Sequence, residues 1–378
     1  MKRPKAVDLF CGCGGISCGL ERAGFDIVAG VDIEAVFLKS YALNFPKAKA
    51  IQCDLSKMEP LDVIEQTGLR KGAIDIIAGG PPCQGFSKNV PRRNRYTEDP
   101  KNRLVVAFLK VTELLMPRFV LMENVAEMQN GFEQTYTNLI VELLEERGYT
   151  VKFGVLYAPN YGVPQKRRRA FFLASRDNEA IEFPATTHFD IGGAPSLFDN
   201  NAFVNVWDAI GDLPELQHGE GVDPMQYRTP TFHQFQEWAR GGSEQIYNHV
   251  ARALQPKQYQ RLSSIEPGQG LKDLPEALRP KQGYSGAYGR LTKEMIAPTI
   301  TRWVFHPGSG RFGHPVTPRV ITIREAARIQ AFPDTFRFAG TYIQQSHQVG
   351  NAVPPLLAQM IAQTLTYSAS PLATTVGS

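Results

Sequence analysis

The chain has 378 residues, is 43% hydrophobic and carries a formal net charge of +4, with an isoelectric point near 8.7. Its length suits about two domains of ~150 residues, and its composition a water-soluble chain with a real core. No apolar run reaches the roughly 18 residues of a membrane span. Five cysteines (Cys11, Cys13, Cys18, Cys53 and Cys83) are odd in number and lack CxxC spacing. That argues against a disulfide framework or a structural zinc site, so no metal is expected. The basic N-terminus has no signal-peptide core, and a cytoplasmic protein is the default.

In chain order, KAVDLF reads as a buried strand ending in a glycine cluster. FDIVAGVDI is a second strand, Glu34 to Asn44 a helix, KAIQCD a short strand and AIDIIAGG an apolar strand closed by glycines. Leu104 to Met116 has helical periodicity, RFVLMEN is a strand, and Thr137 to Arg147 an amphipathic helix. YTVKFGVLY and RRAFFLASR are two late strands. Strands alternating with helices predict an α/β domain with a mainly parallel sheet. Its ligands should bind beyond the carboxyl ends of the strands. From about residue 185 to 320 Pro, Gly and scattered aromatics take over, and a second, irregular domain is expected there. Charge is uneven in that stretch. Ile191 to Asp223 holds six acids and no Lys or Arg, whereas Pro224 to Val320 holds thirteen Lys/Arg against six Asp/Glu. Thr322 followed by Glu325 predicts a helix opened by a capping box. PPLLAQMIAQTL predicts a final helix with Pro in its first turn, apolar enough to pack on the first domain.

The strand ends carry the chemistry. Asp8-Leu9-Phe10-Cys11-Gly12-Cys13-Gly14-Gly15 lets backbone approach a ligand, but it is not the dinucleotide fingerprint, because Ser17 stands where the third glycine would be. Asp32 and Asp54 end the second and third strands. Either acid alone reads as a cap or a turn residue; in series with Asp8 and Phe10 they favour a bound adenosine. Gly79-Gly80-Pro81-Pro82-Cys83-Gln84-Gly85-Phe86-Ser87 presents Cys83 on a stiff turn. A thiol with a pKa of ~8.5 needs a positive neighbourhood to act as a nucleophile, and Arg167 and Arg169 could supply it. Glu123 ends the fifth strand, where an acid is placed to donate a proton.

These segments together resemble the DNA cytosine-5 methyltransferase family. DLFCGCGG is similar to its cofactor loop, PPCQGFS to its catalytic loop, and ENV at Glu123 to its glutamate motif. Gln165-Lys166-Arg167-Arg168-Arg169 resembles QxRxR, Arg324 to Arg328 resembles RExxR, and Gly350-Asn351-Ala352-Val353 resembles GNxV. The resemblance covers nearly the whole chain outside residues 185–285.

It implies a Rossmann-like methyltransferase domain at 1–186 and 345–378. It further implies a smaller irregular target-recognition domain at 187–320, joined by a hinge at 321–344. The cofactor implied is S-adenosyl-L-methionine, held by Asp8, Phe10, Gly12, Gly14, Gly15, Asp32, Ile33, Asp54 and Asn351. Ile33 stands where the family often has an aromatic residue. Double-stranded DNA would be clamped and one cytosine flipped out. Cys83 would add to C6, Glu123 would serve N3, Arg169 would hold O2, Arg167 would support Glu123, and Pro82 would shape the loop. Gln84, Ser87, Arg92, Arg93, Arg95 and Gln165 would contact DNA. A restriction endonuclease of the same specificity is a conceivable partner, and a monomer is expected. Three rivals fit less well. A tRNA-methylating branch needs a Cys-Phe-Thr tripeptide, and no cysteine follows Cys83. A zinc deaminase needs a cysteine at position 86, which is Phe86, and a His-x-Glu, but no histidine precedes His188. A binding-only regulator has no use for Cys83 and Glu123.

Overall fold

The computed structural model describes residues 3–57, 60–82, 103–129, 135–176, 181–190, 202–281 and 286–368. The chain divides into two compact units. The first comprises Met1–Leu156, Arg168–Ala185 and Leu357–Ser378; the second comprises Tyr157–Arg167 and Thr186–Leu356.

The first unit is built on β1 (Lys5–Leu9), β2 (Asp26–Asp32), β3 (Lys49–Gln52), β4 (Ile76–Gly79), β5 (Phe119–Val125) and β6 (Thr150–Tyr157). After the two-residue β7 (Gln165–Lys166), β8 (Arg168–Ser175) completes the sheet. The order across the sheet is β3-β2-β1-β4-β5-β8-β6. The first five strands are parallel, and β8 runs antiparallel to β5. Central strands of such a sheet are covered on both faces, which is why they read as continuous apolar runs. Ala6, Val7 and Leu9 of β1, and Ile76, Ile77 and Ala78 of β4, are buried accordingly. The helices are α1 (Gly15–Arg22), α2 (Ala35–Asn44), α3 (Pro60–Thr67), α4 (Arg103–Leu115) and α5 (Thr135–Glu145). Phe108, Val111 and Leu115 lie on one face of α4 and share a core with Val7, Ile77 and Val120. The strand order reverses between β1 and β4, so a crevice opens where Phe10 and Gly80 leave the sheet.

Beneath the β1–α1 loop lies a buried polar chain. Asp8 Oδ2 accepts from the Ser17 hydroxyl at 2.6 Å and from the Ser17 amide at 3.2 Å. The Ser17 and Tyr41 hydroxyls lie 3.0 Å apart. Asp8 Oδ1 has no partner among the described residues. Burial pushes the Asp8 carboxyl up to about 7, against the pull of the two Ser17 hydrogen bonds.

The second unit has short elements: α6 (Val206–Ile210), β9 (Met225–Gln226), α7 (Gln234–Arg240), β10 (Gln245–Ile246), α8 (Pro256–Ser263), β11 (Ala297–Pro298), α9 (Ile323–Ile329) and α10 (Tyr342–Asn351). β9 and β10 pair antiparallel, and β11 runs parallel to β7. Thr322 and Glu325 form the reciprocal capping box at the start of α9. Every residue of α9 is buried, including Arg324, Glu325 and Arg328. Of segment 321–344, expected as a hinge, residues 321–334 are packed interior of this unit, whereas Gly340, Thr341 and Ile343 are exposed. The return to the first unit comes at Leu357 rather than at residue 345, and Tyr157–Arg167 also belongs to the second unit. The last described helix, α11 (Pro355–Ser368), buries Leu357, Ala358, Ile361, Ala362 and Leu365 along one face.

Arg328 lies between two carboxylates. Its Nη1 is 3.0 Å from Asp212 Oδ1, and its Nε donates to Asp334 Oδ1 at 2.6 Å. Tyr227 donates to Asp334 Oδ2 at 2.5 Å. Removing one partner of such a pair leaves a buried charge uncompensated. Asp334→Ala should cost about 3–5 kcal/mol in urea unfolding, and a loss under about 1 kcal/mol would contradict this account.

Asp8 gives a pH signature. Folded, it keeps its proton up to about 7; unfolded, it ionises near 3.8. The folded state thus binds more protons between those values, and the Asp8 contribution to stability falls as pH rises across that window. Asp8→Asn should gain stability relative to the parent between pH 4.5 and 7.5, measured by urea midpoints. Parallel pH curves for the two proteins would remove the assignment.

Candidate active site

The glycine loop leaves β1 at Phe10, whose φ of 60° is rare for a residue with a side chain. The Cys11 amide donates to Val31 O at 3.0 Å, and the Gly14 amide to Cys11 O at 2.8 Å. Gly14 has φ 104°, and a Cβ there would lie 2.4 Å from the Phe45 ring. Only glycine fits that approach to α2. Gly12, at φ 56°, is the opposite case: a Cβ there would meet nothing within 4 Å. The loop thus presents open backbone at Gly12 and starts α1 at Gly15.

Asp32 ties this loop to the next strand end. Its Oδ2 accepts from the Gly12 amide at 2.8 Å, and its Oδ1 from the Glu34 amide at 2.9 Å. Burial raises its carboxyl above the ordinary range, and the Glu34 and Gly12 amides oppose that rise. Ile33 beside it is 54% exposed, a large apolar side chain left open at the strand end. Asp54 is taken up by its own turn, accepting from the Ser56 hydroxyl at 2.6 Å and lying 3.1 Å from Lys57 Nζ. The Ser56 hydroxyl is the main reason its carboxyl is lowered. The parallel order sets the ends of β1, β2 and β3 side by side. Asp8 departs from the cofactor-contact expectation: it is 1% exposed and braces α1 from within through Ser17. Cys11, Cys13 and Cys18 are buried, and burial raises all three thiols, Cys18 to about 12, which leaves them inert.

The second half of the site lies at the ends of β4 and β5. Gly80, Pro81 and Pro82 leave β4 toward Cys83. Cys83, Gln84, Ser87, Arg92, Arg93 and Arg95 lie outside the described residues. Glu123 Oε1 is 2.8 Å from Arg169 Nε in a mostly buried ion pair. Its Oε2 faces Gly80, where a Cβ would lie only 3.0 Å away. Sheet register explains the pairing. Glu123 stands opposite Phe171 and Val125 opposite Arg169, so Glu123 and Arg169 are diagonal neighbours on one face.

Asn124 points the other way and is 3% exposed. Its Nδ2 donates to Pro81 O at 3.2 Å, and its Oδ1 accepts from the Val125 amide at 2.8 Å. One strand end thus carries an acid on one face and a clamp for the cysteine loop on the other. Asn124, named in the sequence only as part of the ENV motif, carried one further signal: an amide closing an apolar strand, since a buried amide must find partners.

Two expectations are corrected. Arg167 was to support Glu123, but the direct partner of Glu123 is Arg169. Arg167 lies beyond the end of the β5–β8 ladder and is 2% exposed in the second unit. It donates to the carbonyls of Ile300 at 3.2 Å and Ala352 at 3.0 Å. Gln165 was to contact DNA, but it is wholly buried. It donates to Ile329 O at 3.1 Å, accepts from the Ile300 amide at 3.0 Å and also bonds Gln330. Asn351 is exposed at the last position of α10 in the second unit.

Residues 4–366 match the family model described as C-5 cytosine-specific DNA methylase. The type II methyltransferase M1.HphI of Haemophilus parahaemolyticus is 35% identical over 95% of this chain and 86% of its own length. The type II methyltransferase M.DdeI of Desulfomicrobium norvegicum is 32% identical over 96% of this chain and 88% of its own. Among solved structures, an Escherichia coli prophage protein described as a DNA modification methyltransferase superposes with a TM-score of 0.75. It is 28% identical and covers 97% of this chain and 99% of its own. With the sheet order, the glycine loop and the Glu123–Arg169 pair facing Gly80 at the end of β4, these similarities establish that the chain belongs to the C-5 cytosine-specific DNA methylases.

Proposed function

We propose that the chain transfers a methyl group from S-adenosyl-L-methionine to C5 of a flipped-out cytosine in double-stranded DNA, through a covalent Cys83 adduct. The observation that carries this reading is the Glu123–Arg169 ion pair facing Gly80, on the same strand end whose Asn124 holds Pro81. Family membership supplies the reaction class.

The residues at the ends of β1, β2 and β3 fit the cofactor. Gly12 offers backbone with free space above it, the exposed Ile33 offers an apolar surface for an adenine, and Asp32 and Asp54 offer acceptors for hydroxyl and amino groups. Asp32 Oδ2 retains a lone pair beyond the Gly12 amide bond, whereas Asp54 Oδ1 already takes two bonds from Ser56 and leaves Oδ2 as its available acceptor. The bound cofactor would supply an electrophilic methyl group on a sulfonium.

A base inside a duplex is out of reach, so the cytosine must leave the stack. The Cys83 thiolate then forms a bond to C6. Glu123 donates a proton to N3, or holds one there, so that the ring electrons collect at C5 as an enamine. Arg169 fixes the Glu123 carboxylate and reaches toward O2. Pro81 and Pro82 keep the cysteine turn stiff, and Asn124 anchors it. C5 would take the methyl carbon as the carbon–sulfur bond breaks and its electron pair stays on sulfur, after which a base (side chain or ordered water) removes the C5 proton. The C5–H electron pair restores the C5–C6 double bond as Cys83 leaves.

The second unit is proposed to hold target recognition, extending beyond 187–320 to residue 356. The type II names of the bacterial relatives support a restriction-modification setting, with an endonuclease of the same specificity. One chain carrying both units favours action as a monomer on the chromosome in the cytoplasm. Among the described residues no helix is long and apolar enough to cross a membrane.

Labelled methyl transfer to mixed genomic DNA, followed by sequencing for 5-methylcytosine, should reveal methylation at one short motif that Cys83→Ala abolishes. Transfer to RNA alone, or none at all, would overturn the proposal. Asn124→Ala removes the bond to Pro81 and leaves that carbonyl to find another donor. A buried hydrogen-bond group left unmatched costs about 1–3 kcal/mol, so kcat should fall roughly 5- to 150-fold. An unchanged kcat would show that Asn124 does not position the turn.

A further inference from the structure

Trp303 is 44% exposed, although the backbone that carries it is firmly held. The Trp303 amide donates to Thr301 Oγ1 at 3.3 Å, and the Val304 amide to Thr301 O at 3.1 Å. Trp303 O accepts from the His306 amide and from the Ser309 hydroxyl, both at 2.9 Å. From α10, the Ser346 hydroxyl donates to Arg302 O at 2.8 Å. Gly350 lets the same helix press on this turn, since a Cβ there would stand 2.2 Å from the Arg302 amide nitrogen. The indole packs against the rings of Phe305 and His347, with centroids 5.8 and 5.6 Å away. Its exposure is therefore fixed by the fold rather than by a loose loop.

The chemistry on display is that of a polyanion contact. The Arg302 guanidinium sits 5.0 Å from the Trp303 ring centroid. Among the described residues it makes no ion pair, and the indole N–H has no acceptor. Residues 295–324 contain no Asp or Glu at all. Of the arginines in that stretch, Arg319 and Arg324 are buried and bonded inward, and Arg311 bonds the carbonyls of Gln269 and Arg290. Among the described residues, Arg302 is the one arginine of this stretch that is exposed and whose guanidinium makes no hydrogen bond or ion pair. A lone exposed aromatic residue is ordinary on a protein surface. A rigid one carrying a stacked, unpaired guanidinium in an acid-free stretch is suited to nucleic acid, where cations meet phosphates and flat rings meet sugars and bases.

We propose that Arg302 and Trp303 form a DNA-backbone contact of the second unit. Arg302 bonds a phosphate, and Trp303 packs its ring on the adjoining deoxyribose. This rests on the reading of the chain as a DNA methyltransferase and names side chains that hold the duplex, which that reading leaves open.

The test uses the full chain and a 30-base-pair duplex carrying a motif that the parent methylates. Arg302→Gln should flatten the slope of log K against log salt by about one unit, the signature of one lost phosphate contact. Trp303→Ala should weaken the duplex Kd and raise the KM for DNA by roughly tenfold, with kcat at saturating DNA within about twofold. Trp303→Phe should recover part of that loss, and cofactor affinity should not move in any variant. Variants that bind as the parent does, with the same salt slope, would overturn the contact while leaving the methyltransferase reading intact. A parent that neither binds nor methylates the duplex would overturn that reading itself. Unchanged DNA binding with altered self-association of Trp303→Ala, seen by sedimentation, would assign the patch to a second copy of the chain and refute the DNA contact.

Discussion

A guanidinium withdrawn from water cannot shed its charge, so it must be surrounded by acceptors. The second unit is organised around that constraint. Arg167, Arg319, Arg324 and Arg328 are among its largest fully or nearly fully buried side chains. Arg319 forms a two-pronged pair with Glu325 at 2.7 and 2.8 Å. Arg324 gathers the carbonyls of Tyr247, Pro333 and Phe336. Arg167 gathers those at the end of α10. With few long helices or strands, the unit has little regular backbone bonding, and these arginines connect segments distant in sequence. His314, beside Glu325 and Arg319, is pushed down to about 3 by burial, so it stays neutral and leaves the network balanced.

The first unit solves a different problem. Its regular sheet needs no side chains to organise backbone, so polar side chains are free to concentrate at the strand ends. Asp32 bonds the Gly12 amide and thereby makes two strand ends one surface. Glu123 and Asn124 are consecutive on β5, and the alternation of a strand sends one to each face. The acid facing Gly80 and the amide holding Pro81 are therefore spaced by the geometry of a single strand.

Much of this was legible in the sequence. Seven strand patterns correspond to the seven-stranded sheet, and Thr322 with Glu325 marked the start of α9. The positions of Glu123 and the glycine loop followed from apolar runs ending in polar residues. Motif membership, however, does not separate residues that touch a ligand from residues that hold the protein together. Gln165 and Arg167 share a motif with Arg169, yet two residues along the chain a strand ends, and the environment changes from site to interior. Segment 321–344 looked like a connector because its polar residues hide in pairs that no periodicity reveals: Arg328 finds Asp212, more than a hundred residues earlier. Asn124 stood in plain view in the ENV motif, but its clamping role was hidden, since its partner is a carbonyl that every residue possesses.

The first unit is assembled from three separate stretches, and the last of them, carrying α11, follows Thr186–Leu356. All seven strands of the sheet precede Thr186 in the chain, but the apolar face that Leu357, Ile361 and Leu365 complete comes after Leu356. A ribosome must therefore finish the second unit before the first can close its core. Partial chains released before that point hold every strand of the sheet yet lack the buried side chains of α11.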